Sequence, residues 1–107
     1  MAVSYSILGQ VADASTEQTL YTAPALKNVK IKVTIANRGA ATTFRVSISP
    51  DGGATGNEDY VAYDKTLPAN ESLTSTTFTV NAADVIRVMS GTTDVTFIAY
   101  GIEQDQA

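Results

Sequence analysis

Apolar and polar residues alternate one by one along two neighbouring stretches of the chain. Val29, Ile31, Val33 and Ile35 are separated by Lys30, Lys32 and Thr34, and Phe44, Val46 and Ile48 by Arg45 and Ser47. A period of two puts the apolar set on one face of an extended strand and the polar set on the other. The pattern predicts strands over 29–37 and 42–49. With Asn37-Arg38-Gly39 as the break, the two are expected to pair as a hairpin. That hairpin would gather Lys30, Lys32 and Arg45 on one solvated face.

The rest of the chain repeats the alternation in shorter pieces. Pro50-Asp51-Gly52-Gly53 ends the second strand, because proline has no amide hydrogen to give to a ladder, and 50–58 reads as a loop. Tyr60-Val61-Ala62-Tyr63 resumes an extended segment that closes at Leu67-Pro68-Ala69-Asn70. Residues 71–80, rich in Ser and Thr around Leu73, Phe78 and Val80, read as a further strand, since β-branched Thr suits a pleated surface. Asn81-Ala82-Ala83-Asp84 reads as a turn or a single helical turn. Strands follow over 85–90 and 94–102. Upstream, 5–11 and 20–22 are shorter strands. Between them Ser15 could cap one helical turn, and Ala23-Pro24-Ala25 forms a corner. No segment sustains the three-and-four spacing of a helix. The sum is an all-β, single-domain antiparallel β-sandwich or jelly-roll-like barrel of seven or eight short strands over 1–107, with 103–107 a short polar tail.

Two strands are apolar on both faces. In 94–102, Val95, Phe97 and Ala99 lie on one side, and Ile98, Tyr100 and Ile102 on the other. In 85–90, Val85 and Met89 flank Arg87, and Ile86 and Val88 take the opposite side. A sandwich strand buries one face and wets the other. A second apolar face therefore points to a covering loop, a closed barrel or another subunit. The oligomer or partner interface expected on this basis comprises Ile98, Tyr100, Ile102, Ile86 and Val88.

Composition narrows the chemistry. The 107 residues include no Cys, no His and no Trp. This removes disulfides, thiolate nucleophiles and every imidazole-dependent mechanism or metal site. With 7 basic against 11 acidic side chains, the chain lacks a nucleic-acid footprint. Only 17% of residues are charged, against about 25% in an average soluble domain. The N-terminal stretch from Met1 to Leu8 has no basic region followed by a long apolar run, and no stretch is apolar enough to span a bilayer. Asp51, Glu58 and Asp59 bracket a Gly-rich loop, but the alternating acidic spacing of an EF-hand is absent, and a solvated loop is the favoured reading. No carboxylate pair suggests glycosidase chemistry, and Gly52-Gly53 opens no helix that could cradle phosphate. No catalytic, cofactor-binding or metal-ligating residues are expected. The five tyrosines, 5, 21, 60, 63 and 100, fit core edges or a stacking surface for a sugar or protein partner.

Several stretches resemble small structural proteins of tailed-phage virions. They are Leu20-Tyr21-Thr22-Ala23-Pro24, Ile35-Ala36-Asn37-Arg38-Gly39 with Thr42 to Ile48, Tyr63-Asp64 through Pro68-Ala69-Asn70 to Leu73, and Asp84-Val85-Ile86-Arg87-Val88. The resemblance implies a non-enzymatic accessory component located in the virion and made in the bacterial host cytoplasm. In that setting the chain would be a capsid decoration or cement protein. It would bind itself as a homo-oligomer, with a trimer preferred, and bind other virion proteins such as the major capsid protein. Nucleic acid and membrane are not expected partners. Tail or tail-fibre placement, and a small glycan- or receptor-binding module, are the alternatives.

Overall fold

The computed structural model describes residues 6–12 and 15–105. Among them are nine strands: β1 Ser6–Ala12, β2 Gln18–Thr22, β3 Lys27–Asn37, β4 Thr42–Ser49, β5 Tyr60–Leu67, β6 Ser72–Thr74, β7 Phe78–Asn81, β8 Val85–Ser90 and β9 Val95–Asp105. They form two antiparallel sheets packed face to face. Sheet I has the order β1-β9-β3-β6, with β7 also paired to β3, and sheet II the order β2-β8-β4-β5. The all-β sandwich expected from the alternation is the fold, with nine strands in place of seven or eight. The extra strand arises because 71–80 divides into β6 and β7 around residues 75–77, both on the same edge of β3.

The core is what the alternation marked. Val29, Ile31, Val33 and Ile35 of β3 face Phe44 and Val46 of β4 between the sheets, and each is at most 3% exposed. Val95, Phe97 and Ala99 of β9 join them, with the rings of Phe44 and Phe97 edge to face at 6.5 Å between centroids.

The expected hairpin does not form. β3 pairs with β9, β6 and β7, whereas β4 pairs with β5 and β8 in the other sheet. Side-by-side pairing would leave both apolar faces looking the same way and uncovered. Placing the strands in opposite sheets turns those faces towards each other. Residues 38–41 are therefore a corner between sheets, built on Asn37. Its buried amide donates to the carbonyls of Ala40, Leu67 and Pro68, and its Oδ1 accepts from Gly39 N at 3.0 Å.

Three smaller expectations also change. Residues 103–105 are not tail: β9 runs to Asp105 because Lys27–Val29 pair with 103–105 and the Lys27 ammonium meets the Asp105 carboxylate. Ser15 and Thr16 form a bend with no helical turn among the described residues, and the rest of that link, like Tyr5, lies outside them. Ile86 and Val88 are 0% and 1% exposed within the single chain, so they cannot form an intersubunit surface. They lie opposite Ile48 and Val46 on the inward face of β8, and it is the Arg87 side that turns outward.

The two long sides of the sandwich differ. On one, β1 presses onto β2 so closely that a Cβ on Gly9 would lie 2.1 Å from the Leu20 carbonyl oxygen. On the other, β5 stands apart from β6 and β7 and leaves a cleft of about 300 Å³ that reaches down to Val33, Ile35, Phe44 and Val46.

Candidate functional site

Three surfaces could do work, and the sequence had marked parts of two. The first is the outward face of sheet I. Ile98, Tyr100 and Ile102 all project there, each half-buried. Residues paired across strands share a face, so the register defines the neighbours. Tyr100 lies between Ile7 of β1 and Lys32 of β3. Ile98 lies between Gln10 and Thr34, and Ile102 lies beside Lys30. Ile7, which sequence reasoning did not place here, is 62% exposed. The result is an apolar strip on β1 and β9 with two lysines along one flank.

The second surface is the outward face of sheet II. Arg45 sits here, on the opposite side of the molecule from Lys30 and Lys32. This follows from the separation of β3 and β4 into different sheets. Its Nε donates to Asp64 Oδ1 at 2.6 Å and Nη2 to Oδ2 at 3.2 Å, and the guanidinium lies 4.2 Å from the Tyr63 ring centroid. The Arg45 hydrogen bond holds the Asp64 carboxyl below the usual carboxylate range. Tyr63 meets Tyr60 edge to face at 4.8 Å, and with Asn57 the two line an open hollow of about 390 Å³. Beside it the loop 50–59 folds back over the sheet. Arg87 Nη1 donates to Ser49 Oγ, Gly53 O and Thr55 Oγ1 at 2.8–3.1 Å, and Asp59 Oδ2 accepts from Gly56 N at 2.8 Å. Asp59 is thus a loop staple. Among the described residues, no group of three or more acidic side chains converges as a metal site.

The third surface is the open cleft, which no local sequence pattern signals because it depends on where two sheet edges end. Its walls are Val61 and Phe78, and Lys65, Ser75 and Thr76 stand at its rim. Tyr21 belongs to none of these surfaces. It is buried at the far edge, and its hydroxyl donates to Glu103.

These groups can exclude water, stack on rings and hold charge. None of them pairs a nucleophile with a base. No protein-family model and no curated protein matches the chain. Among solved structures, a protein of the Bacillus endospore appendages, described as a family of disulfide-linked pili, aligns over 99% of this chain and 88% of its own at a TM-score of 0.62 and 10% identity. That likeness is one of fold. The present chain has no Cys, so the disulfide linkage of those pili has no counterpart here. The Clostridium thermocellum xylanase 10B, in a structure of its CBM22-1 and GH10 modules with xylohexaose, aligns over 97% of this chain and 24% of its own at a TM-score of 0.42 and 15% identity.

Proposed function

We propose that this protein is a non-enzymatic structural subunit that assembles through the outward face of sheet I. The observation that carries the reading is the strip formed by Ile7, Ile98, Tyr100 and Ile102. Contiguous apolar surface of this kind gains free energy when a second surface removes it from water. Lys30 and Lys32 on its flank select a partner face with carboxylates opposite them.

The sequence resemblance to tailed-phage structural proteins supports a virion setting for that assembly, in which the chain is a capsid decoration protein that binds the shell as a homo-oligomer, with a trimer preferred. Tail or tail-fibre placement is the neighbouring alternative. A fold shared with a protein of pilus-forming appendages supports a role in which many copies are held by buried area alone.

Light scattering with the double variant Ile98→Thr, Ile102→Thr tests the interface. The wild type is expected to form a discrete oligomer at low concentration, and the variant to lose that oligomer while remaining folded. A wild type that stays monomeric at high concentration, or a variant that forms the same discrete oligomer equally well, would overturn the reading. Co-sedimentation with phage capsids lacking the protein tests the location.

A second reading rests on the Asn57, Tyr60 and Tyr63 hollow, where aromatic rings beside an amide suit a sugar ring. A glycan array with Tyr63→Ala as control decides it: hits lost in the variant support it, and no hits with the wild type remove it.

A further inference from the structure

The most exposed large apolar side chain among the described residues is on neither sheet face. Leu26, at the tip of the turn between β2 and β3, is 74% exposed and has φ 64°. That conformation suits Gly or Asn, and a bulky side chain there is strained. Strain held in an exposed apolar residue points to use of the side chain outside its own fold. The turn is a rigid mount, because Ala23 at its base is 2% exposed. Ala23 N donates to Asp84 O at 2.9 Å, and its carbonyl accepts from Ala83 N at 3.0 Å.

The open cleft offers a matching socket. Both edges that flank it are bulged. β5 departs from regular pairing at Tyr63–Asp64 and again at Val61. On the other edge Ser75 replaces a ladder contact with its side chain, its Oγ accepting from Val33 N at 2.9 Å. Bulged edges oppose the addition of a whole strand, so the cleft suits a projecting side chain on a turn. Charge agrees. Among the described residues, the end of the sandwich that bears Leu26 holds the carboxylates of Asp84, Glu103 and Asp105 and the ammonium of Lys27, whereas Lys65 stands at the cleft rim.

Leu26 cannot fill its own cleft. Phe78, at the near end of the cleft, pairs with Ile31, five residues along the chain from Leu26 and so about 16 Å away at about 3.3 Å per residue. We infer that Leu26 of one copy inserts into the β5/β6–β7 cleft of a second copy. Knob and socket are different patches, so the contact is head-to-tail and propagates into a ring or an open chain. It is independent of the sheet I interface and does not rest on the virion reading.

The test is sedimentation velocity over a concentration series in the Ile98→Thr, Ile102→Thr background, so that sheet I contacts do not contribute. The parent is expected to form concentration-dependent chains. Leu26→Asn, which relieves the turn, should weaken association at least about tenfold, roughly the loss of one well-buried side chain. Its melting temperature should be unchanged or higher. Lys65→Glu, at the rim and outside the core, should weaken association too. Mixing the two variants in Lys65→Glu excess should not restore chains, whereas a mixture of Leu26→Asn with the parent should yield shortened chains, because each Leu26→Asn copy offers a socket but no knob. A parent that stays monomeric throughout the series, or a Leu26→Asn variant that associates like the parent, overturns the inference. Loss of the sheet I oligomer with this contact intact would count only against the interface proposed above.

Discussion

The hydroxyl of Tyr21 donates to the carboxylate of Glu103 and so ties β2 of sheet II to β9 of sheet I. Burial and the Glu103 carboxylate together keep the proton on the phenol, and its pKa is pushed well above the ordinary tyrosine value. The folded pKa lies above the unfolded one, about 10. The stabilisation is therefore complete below that pH and is lost as pH rises through the folded value. In an absorbance titration, the native protein should retain a phenol that resists ionisation, and Tyr21→Phe should remove it. At neutral pH the same variant should lose about 1.5–3 kcal/mol, as expected for a hydrogen bond to a charged group. An unchanged urea midpoint would contradict this.

Arg87 holds the loop 50–59 against sheet II through Ser49, Gly53 and Thr55. Arg87→Met keeps most of the stem and removes all three contacts. Amide exchange in 50–59 should accelerate, and limited proteolysis should begin there, with about 1–2 kcal/mol of stability lost. Cleavage that starts elsewhere would show that the loop is held by other means.

Gly101 lies where β9 crosses β3. A Cβ there would sit 2.0 Å from the Lys30 carbonyl oxygen and 2.8 Å from the Ile31 Cα, both backbone atoms of the longest ladder. Gly101→Ala should cost more than about 3 kcal/mol, because the strands must separate. Gly53→Ala, whose Cβ would meet only the Pro50 oxygen at 3.5 Å, is the control and should change thermal stability little.

Asn37 is 4% exposed and serves the carbonyls of Ala40, Leu67 and Pro68. Asn37→Ala should lose about 1–3 kcal/mol through unsatisfied buried carbonyls. Asn37→Asp should lose more at neutral pH, since a carboxylate would face the same oxygens. Chemical denaturation of both variants measures the order.

The legible part of this protein was its periodicity. Val29 to Ile35 and Phe44 to Ile48 declared their buried faces, because side-chain direction in a strand follows from parity alone. Their partners did not follow. β3 and β4 are neighbours in sequence but not in either sheet, since a corner and a hairpin can use the same Asn-Arg-Gly stretch. The two-sided apolar strands show the same limit. Both patterns looked alike, yet Ile98, Tyr100 and Ile102 point outward while Ile86 and Val88 lie in the core. On β8 the outward side is taken by Arg87 and the loop it clamps, and Val85 is covered there at 6% exposure.

Lack of Cys and His, the β class and the inward residues were determined by the sequence itself, because each depends on residue identity or on a local period of two. Sheet membership, the exposed row from Ile7 to Lys32, the strained Leu26 and the cleft were decided only in the tertiary structure. They depend on which edges meet and where the chain turns. That is set by the burial of all the apolar faces together, and no local stretch encodes it.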